Sequence, residues 1–161
     1  ALYRDYEPDY LIVVDQMMYK EILQNEYDQK NTVYTNRNNI KKHGGSTNLI
    51  PNNPHKGAGT TAMHIAIHDG HTRLFCIGFD CAEDGPNINV YKDTPCYDKA
   101  KSIANLSLWG KQIYALALDH PDVSFVFVDG NLPSDLMYLA NCSTISYGQL
   151  NTHINTSNET A

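Results

Sequence analysis

The chain has 161 residues, 42% hydrophobic and 19% charged, with 12 basic against 18 acidic side chains and a net charge of −6. That length can bury a full hydrophobic core, and no apolar run approaches the roughly 20 residues of a membrane span. The acidic balance argues against a general nucleic-acid binder, and the ordinary glycine and proline content excludes collagen. No heptad persists, so a coiled coil is excluded too.

Tyr10 to Val14 is a continuous apolar, β-branched run ending in Asp15. Such a run suits a strand buried on both faces of a parallel sheet. Met17, Met18, Ile22 and Leu23 follow at helical spacing and predict a helix over 16–27. Thr32 to Thr35 reads as a second strand. The polar stretch 36–56, with Gly44-Gly45, Pro51 and Pro54, reads as a long loop holding at most a short strand at 48–50. Gly57-Ala58-Gly59-Thr60-Thr61 opens a helix that Gly70 stops.

Arg73 to Phe79 is the third buried strand, ending in Asp80, and a second long loop, 81–96, carries Tyr91. Residues 97–119 predict the longest helix. Val123 to Val128 is the next strand, ending in Asp129. A short helix near 134–140 and a strand near 143–146 precede a polar tail from Asn151, expected to be flexible.

Strands alternating with helices predict an α/β, Rossmann-like three-layer sandwich with a mainly parallel sheet. One domain over 1–150 is expected, with 151–161 as the tail. The expected core comprises Ile12, Val13, Ile65, Cys76, Ile77, Ile103, Leu106, Ile113, Val126 and Phe127.

Cys76, Cys81, Cys96 and Cys142 form no C-x-x-C pair, so reduced thiols and a cytoplasmic location are the expectation. No signal-peptide pattern opens the sequence. Sequons start at Asn105, Asn141, Asn155 and Asn158, but asparagine is common enough here to produce them by chance.

Ligands of open α/β sheets bind outside the carboxyl ends of the strands. Asp15, Asn36-Arg37, Asp80 and Asp129 mark those ends, although a lone Asp there is more often a helix cap. Charge is also unevenly spread. Between Asp28 and Asp69 no acidic residue occurs, while Lys30, Arg37, Lys41, Lys42 and Lys56 all fall there. A basic loop feeding a glycine-opened helix suits phosphate or carboxylate, because free amides and the helix dipole favour negative charge.

Asn36, Arg37, Lys56, Gly57, Gly59, Thr60 and Thr61 are therefore the candidate phosphate or nucleotide site. The glycines do not make a Walker A loop or G-x-G-x-x-G, so a dinucleotide is not expected. His64 and His68 lie four apart but without a glutamate at 65, and no resident metal is assigned. Tyr91, beside Lys92 and Asp93, could contact a sugar or base or assist proton transfer.

The run Lys56 to Ala62, followed by a helix and then Leu74-Phe75-Cys76-Ile77-Gly78-Phe79-Asp80, resembles a motif of two related groups. They are the bacterial sialyltransferases that use CMP-sialic acid, and the motility accessory factor and 6-hydroxymethylpterin diphosphokinase-like proteins. The similarity covers about residues 1–95 and is best at 56–80. It implies a Rossmann-like domain with a nucleotide over Gly57–Thr61 and near Asp80. It also implies an upstream strand and Gly-Asn-Gly loop ahead of Ala1.

The function expected is a nucleotide-binding, transferase-like domain, such as a sugar-nucleotide glycosyltransferase. Tyr91 would ease leaving-group charge, with Asp80 as a catalytic carboxylate. A pterin or other diphosphotransferase is the alternative and would use Mg²⁺ held by Asp80 and Asp129. A third alternative is a non-enzymatic binding or assembly protein on the same fold. The expected partner is a nucleotide or sugar nucleotide, without nucleic acid or a membrane span, and homo-oligomerisation is left open.

Overall fold

The computed structural model describes residues 6–79, 106–130 and 132–158. The chain divides into two compact units, whose described parts are 6–68 and the remainder from 69 onward. Each unit is an α/β layer with a three-stranded, wholly parallel sheet. The six strands among the described residues therefore lie in two sheets where the apolar runs predict one.

In the first unit, β1 (Leu11–Val13), β2 (Val33–Thr35) and β3 (Asn48–Leu49) stand in that order. Helix α1 (Gln16–Gln24) joins β1 to β2, and α2 (Arg37–His43) joins β2 to β3. The helix expected over 16–27 stops earlier because Glu26 takes the left-handed conformation at φ 52°; a short 3-10 turn, Tyr27–Gln29, follows. Helix α3 (Ala58–His68) packs against β1. Val13, Met18, Tyr19, Ile22 and Val33 form the core of this unit.

Helix α2 corrects the expected loop over 36–56. Ile40 is its one large apolar residue, so periodicity gives no signal, yet the termini are well marked. Asn36 caps it by accepting from the Asn39 amide at 3.0 Å. Lys41, Lys42 and His43 oppose the dipole in the last turn, and Gly44 at φ 70° ends it. Strand β3 falls where the short strand was expected.

In the second unit, β4 (Arg73–Ile77), β5 (Ser124–Val128) and β6 (Cys142–Ile145) stand in that order. Helix α4 (Leu106–Asp119) joins β4 to β5, α5 (Ser134–Met137) joins β5 to β6, and α6 (Tyr147–Asn158) follows. Each unit thus has the βαβαβ pattern from which Rossmann-like folds are assembled. Phe125, Val126, Phe127 and Val128 are all buried, as befits the central strand.

Helix α6 extends to Asn158, into the polar segment from Asn151 where the apolar pattern predicts no element. Ser146 and Gln149 form a capping box: the Ser146 amide donates to Gln149 Oε1 at 2.8 Å, and the Gln149 amide to Ser146 Oγ at 3.3 Å. Leu150 is buried and anchors the first turn.

Val13, Ile65, Cys76, Ile113, Val126 and Phe127 are buried as expected. Ile12 is only half-buried. Ile77 is 53% exposed, which overturns its place in the core. β4 buries Leu74 and Cys76 on one face, and the two-residue alternation sends Ile77 to the other. Ile103 and the side chain of Leu106 lie outside the described residues. Among the described residues, no helix is long and apolar enough to cross a membrane.

Candidate functional site

Because β1, β2 and β3 are parallel, the residues leaving their carboxyl ends share one edge. Those residues are Asp15, Asn36-Arg37 and the segment leading from Ile50 to α3. The ring Nε2 of His64 lies 3.1 Å from the Pro51 carbonyl oxygen, which ties the second turn of α3 to the end of β3. The head of α3, Gly57 to Thr61, lies in the chain that leaves this edge, one turn before His64.

The polar side chains there are not equally available. Asp15 caps α1, accepting from the Met17 and Met18 amides at 2.8 and 3.1 Å. Asn36 caps α2 through its oxygen and donates from Nδ2 to the Val14 carbonyl at 3.0 Å. Both ends of its amide are spent on the fold. Arg37 is exposed and Lys56 half-buried.

Thr60 and Thr61 are buried side chains. Thr61 donates from its amide to the Gly57 carbonyl at 2.9 Å and from its hydroxyl to the Lys56 carbonyl at 3.3 Å. Its role is to close the turn that starts α3. The i→i−4 ladder begins with that amide, so the amides of Ala58, Gly59 and Thr60 precede it. No acidic residue occupies the first turn of α3, and Gly57 brings no side chain to cap it.

The second unit treats its carboxyl edge differently. Asp129, at φ 45°, accepts from the Tyr147 amide at 2.9 Å, so its carboxylate already sits at the head of α6. Its Oδ2 thus serves as a cap on α6. Asp80 and Tyr91, the two expected catalytic groups, lie outside the described residues.

One feature at the opposite edge was not anticipated from the sequence. An open cavity of about 430 Å³ lies where β2 and β3 begin, lined by residues 28–32 and 45–48. Asp28 is 4% exposed at its wall, with Oδ2 accepting from the Ser46 amide at 2.7 Å and from Gln29 Nε2 at 3.1 Å. The sequence signals were the adjacent Gly44-Gly45 pair and a lone Asp entering an acid-free segment.

Among the described residues, Cys76 and Cys142 are buried free thiols. Burial pushes Cys76 up to about 12, with Cys142 adding to the rise, and burial pushes Cys142 up to about 11. β5 separates their strands, and two strand spacings exceed the span of a disulfide.

No family model, no curated protein and no solved structure matches this chain.

Proposed function

We propose that the first unit binds the phosphate of a nucleotide or sugar nucleotide at the head of α3, as part of a transferase-like domain. The observation that carries this is the combination found at one helix start. The amides of Ala58, Gly59 and Thr60 precede the helical ladder at a sheet carboxyl edge, within a segment that has no acidic residue. Partial positive charge at a helix N-terminus attracts phosphate, and glycine lets the anion approach the backbone. Arg37 and Lys56 supply cations on the same edge.

Three other helix starts at the carboxyl edges carry side-chain caps, Asp15 on α1, Asn36 on α2, and Asp129 with Ser146 on α6, whereas Pro133 gives the one-turn α5 none. Transfer of a sugar from such a nucleotide would draw on Asp80 and Tyr91.

A thermal-shift screen against nucleotides and sugar nucleotides, with and without Mg²⁺, tests the proposal. A ligand held at 100 times its Kd adds about 2.7 kcal/mol of stability. Stabilisation by nucleotides that inorganic phosphate partly reproduces is the expected result. A flat response to every phosphate-bearing compound overturns it.

A further inference from the structure

We infer that the amino edge of the first sheet carries a second binding site, for a small neutral polyhydroxylated ligand held by the buried carboxylate of Asp28. It is independent of the anion site at the carboxyl edge and shares no residue with it.

The cavity has a built wall. Tyr19 donates from its phenol to the Gly44 carbonyl at 2.6 Å and lies 2.9 Å from the Thr47 hydroxyl. Asp28 Oδ2 holds the Ser46 amide. Gly45, at φ 103°, passes so close that a Cβ there would come within 2.6 Å of Leu23 Cδ2 and 2.7 Å of the Tyr19 phenol oxygen. Residues 45–48 are therefore pinned from two sides and the depression is preformed. Its volume falls in the range of small-molecule sites.

The carboxylate is incompletely served. Both hydrogen bonds to Asp28 end on Oδ2, and no described residue donates to Oδ1. Oδ1 is not among the buried side-chain atoms left without a partner, so it is open to solvent and can accept from a ligand O–H.

The rest of the lining selects the ligand class. Thr32 and Ser46 offer hydroxyls and Asn48 an amide that both donates and accepts, while Asn31, whose Nδ2 donates to the Tyr27 carbonyl, offers its amide oxygen. No aliphatic or aromatic side chain lines the cavity to favour an apolar ligand. Asp28 and Lys30 give the lining one charge of each sign, so its net charge favours neither a free anion nor a free cation, and the described residues hold no cluster of three metal-ligating side chains. A polyol, whose hydroxyls donate and accept in turn, matches what remains.

The test is a titration of the intact chain with D-glucose, D-ribose and myo-inositol, followed by amide NMR. Saturable shifts confined to residues 28–32 and 45–48 are expected from at least one of the three. Asp28→Asn supplies the control. Its amide oxygen can take the place of Oδ2 and keep both internal bonds, while its NH2 turns the acceptor at Oδ1 into a donor. Affinity should fall by about tenfold or more. Asn48→Val, at an exposed position of an edge strand, should also weaken binding while β3 stays formed.

Absence of saturable shifts with all three polyols overturns the inference. So does a folded Asp28→Asn protein that binds as tightly as the wild type. Shifts produced by potassium or calcium chloride, with none from the polyols, likewise overturn it in favour of a cation site.

Discussion

Asn39 Nδ2 donates to the Thr35 hydroxyl at 2.8 Å, and that hydroxyl donates onward to the Val13 carbonyl at 2.6 Å. Both side chains are buried, so this relay joins α2, β2 and β1 at the edge where the anion site is proposed. Thr35→Val keeps the shape and removes the hydroxyl. It leaves the Asn39 amide without its shortest acceptor and should cost about 1–3 kcal/mol. For a chain of this size that lowers Tm by about 2–4 °C per kcal/mol, readable by calorimetry.

The adjacent glycines Gly44 and Gly45 offer a graded comparison. A methyl group added to Gly44, at φ 70° and ψ −144°, would meet nothing within 4 Å, so Gly44→Ala costs only backbone strain, about 1–3 kcal/mol. Gly45→Ala adds a collision with Leu23 and the Tyr19 phenol. Overpacking of that kind adds about 1–3 kcal/mol more. Denaturant melts should rank wild type, Gly44→Ala, Gly45→Ala in falling stability. Equal midpoints for the two variants would contradict the pinned-loop geometry.

Cys76 and Cys142 set the alkaline behaviour. Both thiols are pushed above their ordinary value of 9.0 by burial, to about 12 and about 11. The unfolded chain therefore releases these protons first as pH rises. Their contribution to stability is complete below about pH 9 and is lost progressively as pH climbs through the folded values. Tm should fall across that window, and less so in a Cys76→Ala, Cys142→Ala double variant. At neutral pH both thiols should resist alkylation until the chain is unfolded, because the thiolate is the reactive form.

Asn141 closes the end of α4. Its Nδ2 lies 2.9, 3.0 and 3.1 Å from the carbonyl oxygens of Ala117, His120 and Val123. The Ala117 and His120 carbonyls also accept from the His120 and Val123 amides, so Asn141 adds a second donor at the helix end. Asn141→Ala should destabilise by about 1–3 kcal/mol, measured by chemical denaturation. The same engagement closes the Asn141 sequon to a glycosyl group in the folded protein.

What could be read in the sequence followed the strength of its apolar pattern. The runs around Val13, Val33, Cys76 and Phe127 each became strands because β-branched and aromatic side chains had no other place to go. α2 and α6 escape that pattern because their faces are polar; their information lies in end residues, Asn36 with Gly44 and Ser146 with Gln149. Gln149→Ala should remove the capping box and reduce helicity by circular dichroism. Ile77 departs from its expected place because a strand apolar throughout reads as buried on both faces, whereas β4 buries one. Around the candidate site, the glycines and the acid-free segment were visible. The inward turn of Thr61 and the commitment of Asn36 to a cap were not, since each depends on which backbone group happens to face the side chain.

Gly59 offers the sharpest test of the anion site. Its amide precedes the α3 ladder, and glycine itself puts no side chain beside that amide. Gly59→Val places a branched side chain across the approach while keeping helical backbone. The cost to the helix itself should be small, because valine has higher helix propensity than glycine. Nucleotide affinity should fall by about tenfold or more, since the anion loses close contact with the first-turn amides. Thr61→Ala makes a different prediction. Its hydroxyl serves the Lys56 carbonyl, so the variant should lose stability, by about 0.5–1.5 kcal/mol, more than affinity. Titration calorimetry beside thermal melts separates the two effects. If a folded Gly59→Val protein retains wild-type nucleotide affinity, the phosphate binds elsewhere and the head of α3 serves only to pack that helix against β1.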